Sequence, residues 1–462
     1  MPTHDALEGQ HLQLRYMTRF HCIGPACEDH CCYGWRVDID EETYHKMMVA
    51  AQFSAKEIAP KLHAALEVVP GSRRKRTTTR YQIRHDEHDA CPLLDAQNLC
   101  EVHKHFGHGM LSDVCAIYPR KLKRVGDHLE LTATPSCPEL SRELLLAPDA
   151  VDIVPLDPAT LERVRIQGGV DTRDRRPFVR STLAVRDLIV ELLRDEALSL
   201  EERHFLMLWF AKRTHDVLQK APASPDLARV ERELQLLRDP RFKAEILKRF
   251  ATIETPTAVA LMVVRSMVRP HRSHHPRKAW NRLTEDLIGS YATLRSILPD
   301  TDDEAAHDRA AEDRSERVMM TIGEVWAAYR VRRDRLRARV GDRMDQFLRN
   351  YTIHTWIHRL PYESKDVLSY TLRYLALQAV QKFVVYSSPA LQALMDAHDA
   401  RPDLPAEQAR AELAAALDRV AVDAFYQLSR HIEHGSLITY LAKMLKAANL
   451  FSMAGGVYLL RF

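Results

Sequence analysis

The distribution of cysteine constrains this chain more than any other feature, because all eight cysteines lie between residues 22 and 137 of a 462-residue sequence. They are Cys22, Cys27, Cys31, Cys32, Cys91, Cys100, Cys115 and Cys137. Random placement rarely confines one residue type in this way, so scattered buried thiols explain the pattern poorly. We expect the front of the chain to be a distinct unit with its own cysteine chemistry.

The start of the chain has no basic segment followed by an apolar one, and no later run approaches the roughly 18 apolar residues of a membrane-spanning helix. We therefore expect a cytoplasmic protein with no membrane partner. Because cytosolic thiols are kept reduced, clustered cysteines in that compartment indicate metal binding or catalysis more often than disulfides.

The cysteines fall into two blocks, Cys22-x4-Cys27-x3-Cys31-Cys32 and Cys91-x8-Cys100-x14-Cys115-x21-Cys137. Thiolates favour zinc or iron-sulfur centres over magnesium or calcium. Structural zinc is usually bound by Cys-x2-Cys pairs, which this sequence lacks, whereas iron-sulfur ligation accepts more varied spacing. We predict that the eight cysteines are metal ligands of an iron-sulfur cluster, with zinc as the alternative. Four thiolates complete one centre, so eight allow two centres, or one centre with spare thiols.

Two further readings of the front segment concern radical chemistry and histidine ligands. A cluster that reduces S-adenosylmethionine normally uses Cys-x3-Cys-x2-Cys; Cys27-x3-Cys31 supplies the first half, but the third position is Gly34. Radical chemistry is therefore disfavoured.

Histidines are frequent in the front segment: His30, His85, His88, His103, His105 and His108. They could replace a cysteine at a metal, or they are surface residues or donors that orient a ligand.

The pattern of apolar residues predicts a mainly α protein. In the front segment we expect a helix from Glu41, with Asp40 as N-cap, and short strands near 80–84 and 128–132. Beyond about residue 150 the helical periodicity is almost continuous, and Ser199 with Glu202 forms a capping box. The predicted architecture is a small cysteine-rich metal-binding domain with minor β over 1–150, followed by a large all-helical domain over 151–462. A charged segment near 300–317 is either an exposed helical turn region or a flexible linker.

Charge gives little support to a nucleic-acid partner. The net charge is +3, and the basic stretches at 73–80 and 264–278 lack interleaved aromatic residues. We expect no nucleic-acid binding. The sequence leaves the oligomeric state open.

Three blocks resemble the flagellin lysine N-methylase family. They are Tyr16–Trp35, which includes Cys27-Glu-Asp-His-Cys-Cys-Tyr-Gly-Trp35, the block Cys91–Cys100, and Leu111-Ser-Asp-Val-Cys-Ala-Ile-Tyr-Pro-Arg120. That family shares its eight-cysteine front with small proteins described as zinc- or iron-chelating domains. The resemblance continues at Phe347-Leu-Arg-Asn-Tyr351 and Leu428-Ser-Arg-His-Ile-Glu-His434.

The resemblance implies a cytoplasmic methyltransferase that moves methyl groups from S-adenosylmethionine to surface lysines of flagellin, its protein partner. The metal centre would then support or regulate the chemistry. No Gly-x-Gly-x-x-Gly motif marks a cofactor pocket, so the cofactor site is unassigned. Candidate functional residues are Tyr118, Arg120, Asn350, Tyr351, Arg430 and His434. The alternative is a non-enzymatic iron-sulfur or zinc protein that acts as a redox sensor or adaptor.

Overall fold

The structure, a computed structural model, describes residues 11–33, 37–69, 80–87, 90–157, 161, 164–171, 173–174, 177–220, 227–254, 256, 259, 263, 278–291, 311–359, 366–433 and 437–462. The protein is mainly α-helical with a minor amount of β near its N-terminus, as predicted. Its backbone contacts separate two compact units. The described residues within 11–143 and 152–170 form the first unit, and those within 144–151, 171–271 and 280–462 form the second.

The first unit contains two small sheets. Its strands are β1 Leu12–Leu14, β2 Asp38–Asp40, β3 Leu66–Val68, β4 Arg80–Ile83, β5 Arg120–Val125, β6 His128–Ala133, β7 Ile153–Pro155 and β8 Ile166–Val170. The larger sheet has the order β7-β1-β6-β5-β8, and the smaller one has the order β2-β4-β3. The strands predicted near 80–84 and 128–132 are confirmed as β4 and β6.

The hairpin of β5 and β6 forms the centre of the larger sheet. Its strands pair antiparallel with Leu122 opposite Leu131, and Gly126 adopts a φ of +60° at the turn. That left-handed conformation suits glycine because no Cβ clashes with the carbonyl. Lys123 faces Glu130 across the two strands, and the pair is buried, with 4.0 Å between Nζ and Oε2. The sheet therefore encloses this ion pair, and His128 Nε2 lies 3.2 Å from the same carboxylate.

Six helices complete the described part of the first unit: α1 Tyr16–Arg19, α2 Glu41–Ser54, α3 Ala59–Ala65, α4 Glu101–Phe106, α5 Asp113–Ile117 and α6 Pro138–Leu146, whose last turn enters the second unit. The predicted start of α2 is confirmed, because the Asp40 carboxylate accepts a hydrogen bond from the backbone N–H of Thr43 at 2.9 Å. Met47 of α2, Leu62 of α3 and Ile58 from the connection between them are buried in a hydrophobic cluster with β2 and β4.

The described part of the second unit is helical apart from its connections. Its helices are α7 Pro177–Leu193, α8 Leu200–Lys220, α9 Leu227–Arg238, α10 Pro240–Phe250, α11 Lys278–Gly289, α12 Ala311–His358, α13 Val367–Tyr386, α14 Pro389–Asp399, α15 Ala406–Glu433, α16 Leu437–Ala447 and α17 Met453–Leu460. The predicted capping box is confirmed, because Ser199 Oγ accepts from the N–H of Glu202 and the Glu202 carboxylate accepts from the N–H of Ser199. Of the segment predicted near 300–317, residues 311–317 begin α12, and residues 300–310 lie outside the described residues.

Helix α13 is the centre of the helical unit, since nearly all of its side chains are buried. It packs against α8 and α17. A Cβ added at Gly456 of α17 would lie 2.6 Å from a Leu208 side-chain carbon and 2.8 Å from one of Leu372, so a larger residue there would force these leucines to move. Among the described helices, none has the length and apolar character needed to cross a bilayer.

Candidate metal centre

The eight cysteines all lie in the described part of the first unit, and none forms a disulfide. Cys22 is exposed and Cys91 is buried, while the other six are partly buried. The thiols divide by their surroundings into two groups, which we name the inner and the outer thiol group. The inner group is Cys32, Cys91, Cys100 and Cys115. The outer group is Cys22, Cys27, Cys31 and Cys137.

The inner thiol group belongs to the hydrophobic cluster of α2 and α3: Cys91 is one of its buried members, and the other three cysteines pack against it. The local backbone brings them together. The N–H of Cys91 donates to the carbonyl of Cys32 at 2.9 Å, and Cys100 pairs with Leu94 in a β-bridge. Cys115 lies in the first turn of α5, where its N–H donates to the Ser112 hydroxyl at 3.3 Å.

Burial and neighbouring thiols disfavour negative charge in the inner group. Burial first, then Cys100 and Cys31, raise the pKa of Cys91 to about 11. Burial also raises the pKa of Cys115 to about 12, with smaller contributions from other cysteines, and it raises the pKa of Cys100. A hydrogen bond with Cys31, and then burial, raises the pKa of Cys32. A bound metal cation reverses this preference and deprotonates its thiol ligands.

Three thiols of the outer group, Cys27, Cys31 and Cys137, are neighbours near the start of α6. Cys137 directly precedes this helix, and its carbonyl accepts a hydrogen bond from the N–H of Ser141 at 2.9 Å. Burial first, and then the nearby thiols of Cys27 and Cys31, raise the pKa of Cys137 to about 12. Cys27 directly follows the 3-10 turn Gly24–Ala26.

Arg120 is the cation of the outer group. Its guanidinium lies over the Phe20 ring, 5.4 Å from the centroid. Burial lowers the pKa of Arg120, whereas the neighbouring Cys22 and Cys137 raise it. The sequence suggested Arg120 as a candidate catalytic residue. In the structure its positive charge lies beside Cys22 and Cys137. It can therefore balance part of the negative charge of thiolate ligands.

A single zinc ion and an iron-sulfur cluster need different spacings between their thiolate ligands. Within the described ranges, no three Cys, His, Asp or Glu side chains converge on one ion position. A tetrahedral zinc with bonds of about 2.3 Å needs its sulfurs within roughly 4 Å of one another. In a cubane, each thiolate binds a different iron, so the sulfurs stand farther apart. The choice of an iron-sulfur cluster over zinc stays a prediction.

The front histidines have contacts of their own. His108 Nε2 lies 3.3 Å from the carbonyl of Ala116, and the His105 ring lies 3.6 Å from the carboxylate of Glu57. His103 contacts His108 edge-on, and His30 packs on Tyr33. His88 and Gly34 lie outside the described residues. The role of a histidine as a substitute ligand stays a prediction.

Tyr118 lies at the end of α5, close to the thiol groups in sequence. Its phenol and the hydroxyl of Ser136 are 3.1 Å apart, and the Tyr118-Pro119 peptide bond is cis. Ser136 directly precedes Cys137. The structure therefore links this candidate residue to the segment that leads into the outer thiol group.

The second unit gives Asn350 a structural role that the sequence did not reveal. Its side-chain amide donates to the carbonyls of Leu144 at 3.0 Å and Ala147 at 2.8 Å. Gln346 donates to the carbonyls of Leu145 and Leu146 from one turn earlier. These donors satisfy carbonyls that the C-terminal end of α6 leaves without helical partners. The sequence offered Asn350 as a candidate because it lies in the block Phe347-Leu-Arg-Asn-Tyr351, and nothing in that block indicated its contact with α6.

Tyr351 and Arg430, two further candidates, lie in buried aromatic surroundings. Tyr351 is 4% exposed and packs edge-on against Phe425, with ring centroids 5.2 Å apart. Arg430 is 6% exposed, and its guanidinium lies 5.2 Å from the centre of the Tyr426 ring. His434 lies outside the described residues. The candidates on α12 and α15 therefore share the region where these two helices pack.

Three curated relatives match part of the chain. A lysine-N-methylase of Salmonella typhimurium is 31% identical over 136 residues, which cover 29% of this chain and 32% of the relative. The flagellar biosynthetic protein FliU of Salmonella muenchen is 30% identical over 137 residues, which cover 29% of this chain and 77% of FliU. A lysine-N-methylase of Salmonella choleraesuis is 31% identical over 136 residues.

The extent of these matches differs between the relatives. The alignment spans about a third of each lysine-N-methylase but more than three quarters of FliU. No protein-family model and no solved structure matches the chain. The match to FliU covers most of that relative. The other two relatives are named lysine-N-methylase. The chain belongs to the flagellin lysine N-methylase family.

Proposed function

We propose that this protein is a cytoplasmic, S-adenosylmethionine-dependent methyltransferase that N-methylates surface lysines of flagellin, and that its front cysteines hold an iron-sulfur centre. The observation that carries the activity is the similarity to two proteins named lysine-N-methylase. The name of FliU, a flagellar biosynthetic protein, supports a flagellar substrate. The thiol-only donor set supports the metal centre.

The proposed reaction is a direct displacement. The neutral side-chain amine of lysine attacks the sulfonium methyl group, a C–N bond forms as the C–S bond breaks, and S-adenosylhomocysteine leaves. The new ammonium then gives one proton to a base or to water. Because an exposed lysine is protonated near neutral pH, the site must hold the amine deprotonated and in line with the methyl group.

The chain offers two kinds of residue for these tasks. A guanidinium can bind the carboxylate of the cofactor through paired hydrogen bonds, which is the role proposed for Arg430. A phenol can orient the amine or pass its proton to water, which is the role proposed for Tyr351 and, alternatively, for Tyr118. Tyr351 and Arg430 lie on α12 and α15, which pack against each other. This arrangement favours Tyr351 over Tyr118.

The metal centre has a structural role in this proposal. A bound cluster would supply cross-links between the loops that carry the cysteines, which is a large part of the folding free energy in small metal-binding domains. Methyl displacement from a sulfonium needs no electron transfer. The chain's own cysteines would hold the centre, and Arg120 would offset part of its negative charge.

The test is a methylation assay on flagellin. Full-length protein purified without oxygen is incubated with unmodified flagellin and S-adenosylmethionine, and flagellin is then weighed by mass spectrometry. We expect mass increments of one methyl group replacing one hydrogen, located on lysines by peptide mapping. Omission of the cofactor, and flagellin whose surface lysines are replaced by arginine, are the controls.

One result would decide against the methyltransferase. Metal-replete protein that binds flagellin and leaves its mass unchanged would instead support the non-enzymatic adaptor.

A second experiment compares the two candidate tyrosines. The variants Tyr351→Phe and Tyr118→Phe are assayed after circular dichroism has shown that both fold like the wild type. We expect the phenol that acts in the reaction to be the one whose loss lowers kcat, and the other to leave kcat unchanged.

A further inference from the structure

We infer that helix α6 is a coupling element, which links the order of the first cysteine block, residues 22–32, to the position of α12 around Tyr351. The inference rests on the proposed function, in which Tyr351 is a candidate for the reacting phenol, and it adds a means of regulating that site. It is independent of which metal the cysteines bind. The observations that carry it are the contacts made along this one helix.

Ion pairs join the part of α6 that lies in the first unit to the first cysteine block and the residues before it. Arg142 Nη2 lies 2.6 Å from the carboxylate of Glu28, which belongs to the block. Arg19 Nε, shortly before the block, lies 3.0 Å from the carboxylate of Glu143. Partly exposed pairs contribute little one by one, but these two join the same helix to the same short segment.

The start of α6 is fixed by its own turn. The N–H of Ser141 donates to the carbonyl of Cys137 at 2.9 Å, and the hydroxyl of Ser141 donates to the carbonyl of Pro135 at 2.7 Å. Ser141 is fully buried, so water does not compete for these hydrogen bonds. Cys137 and the two residues before it therefore move together with the helix.

The last turn of α6 and the two residues after it are held within the second unit. Each backbone carbonyl from Leu144 to Pro148 accepts a hydrogen bond from a side chain of α12. The donors are Arg343, Gln346, Arg349 and Asn350, at distances of 2.8–3.2 Å. Asn350 directly precedes Tyr351, so release of these carbonyls also frees the backbone beside Tyr351.

Helix α6 is short and buried enough to transmit a displacement. Its nine residues span about 13 Å, and Leu140, Leu144 and Leu145 are all 0% exposed. Close-packed side chains carry a shift onward instead of absorbing it. Coupling is reciprocal, so loosening the cysteine block should loosen α12 near Tyr351, and loosening the α12 donors should loosen the block.

This coupling gives the front cysteines a regulatory role. Order in residues 22–32, which metal binding by the cysteines would impose, favours the arrangement of α12 in which Gln346 and Asn350 hold the end of α6. Loss of that order weakens the same hydrogen bonds. The cysteine block thus controls the candidate site through α6 without contributing a group to the reaction.

Hydrogen exchange of the full-length protein, followed by mass spectrometry, tests both directions. Glu28→Gln removes the ion pair with Arg142, and the exchange of peptides from residues 343–358 is measured. Gln346→Leu removes the donor to the carbonyls of Leu145 and Leu146, and the exchange of peptides from residues 19–33 is measured.

Each variant has a matched control that leaves α6 untouched. Glu42→Gln removes an exposed ion pair with Lys46 elsewhere in the first unit. Gln392→Leu removes an amide that donates to the carbonyl of Tyr386 at 3.2 Å elsewhere in the second unit. We expect both controls to exchange like the wild type in the two peptide regions.

Each α6 variant should exchange about threefold faster than the wild type in the distant region, the size of effect that follows from losing one hydrogen bond or ion pair. If Gln346→Leu fails to fold, Glu28→Gln still decides, because the Glu28 side chain is 40% exposed. Unchanged exchange at residues 343–358 in Glu28→Gln, or the same increase in Glu42→Gln, would overturn the coupling. Methylation of flagellin is scored separately, so loss of the proposed activity and loss of the coupling give different results.

Discussion

The side-chain amide of Asn350 donates a hydrogen bond to the carbonyl of Leu144, although the two residues are more than 200 positions apart in the chain. Leu144 lies in the last turn of α6, where carbonyl groups have no helical donor. Asn350 is fully buried, so water does not replace its amide there. Within the second unit, this contact holds residues 144–147 against α12.

Replacing Asn350 by aspartate should destabilise the protein. The substitution keeps the shape but replaces an amide donor by an acceptor, and it turns that acceptor toward the carbonyls of Leu144 and Ala147. An unsatisfied buried group costs about 1–3 kcal/mol. Urea denaturation should show the loss. Glu245→Gln, on the exposed surface of α10, is the control and should change the stability by less than about 0.5 kcal/mol. A variant of normal stability that has lost only its activity would contradict the structural role.

Replacing Arg120 by glutamine should loosen the outer thiol group. The guanidinium lies over Phe20 and beside Cys22 and Cys137, so its loss removes positive charge next to thiolate ligands. We expect faster release of the bound metal to a chelator, measured by the change in absorbance. Arg124→Gln, on the exposed side of the same strand, should leave the rate unchanged. Equal rates in both variants would rule out this role.

Replacing Lys123 by methionine should destabilise the first unit. Lys123 and Glu130 form a buried pair, with side chains 0% and 5% exposed. Removing one member of a buried ion pair typically costs about 3–5 kcal/mol, because the other charge stays buried. The double variant Lys123→Met with Glu130→Leu should recover most of that loss in chemical denaturation. A double variant no more stable than Lys123→Met would show that the pair does not act as a unit.

His204 should make the helical unit sensitive to acid. Burial, with the nearby charges of Lys382 and Arg203, lowers the pKa of His204 from 6.5 to about 3. Between these values the unfolded chain binds the proton and the native protein does not. The contribution of His204 is therefore intact above pH 6.5 and is lost as the pH falls toward 3, by about 1.4 kcal/mol per pH unit.

The variant His204→Gln tests whether His204 makes the free energy of unfolding fall as the pH falls. Its free energy of unfolding should fall less steeply than that of the wild type between pH 6.5 and 4, measured by denaturant titration at each pH. At pH 7 the variant should be the less stable of the two, because the contact of His204 Nε2 with the Thr352 hydroxyl at 2.8 Å is altered. His21→Gln, at an exposed site, is the control. Parallel pH profiles for the wild type and His204→Gln would contradict the expected burial of a neutral imidazole.

Local features of this protein could be predicted from the sequence because they depend on residues close together in the chain. Asp40 caps α2 through Thr43, and Ser199 pairs with Glu202, since a helix start is decided within about four residues. The strand at His128–Ala133 follows from alternation of side chains over six positions. The confinement of the cysteines was likewise visible in the sequence, and so was the family.

The grouping of side chains is a property of tertiary structure. Spacing alone could not show that Cys32, but not Cys31, packs against the hydrophobic cluster of α2 and α3, because that cluster is built from segments far apart in the chain. The sequence suggested a functional role for Asn350, whereas its contact with Leu144 in the folded protein is a structural one. The sequence determined which residues can bind metal and where helices begin. Only the packing of distant segments decided which thiols meet. Those contacts join residues far apart in the chain, and the periodicity of a helix or strand relates only residues that are close in sequence.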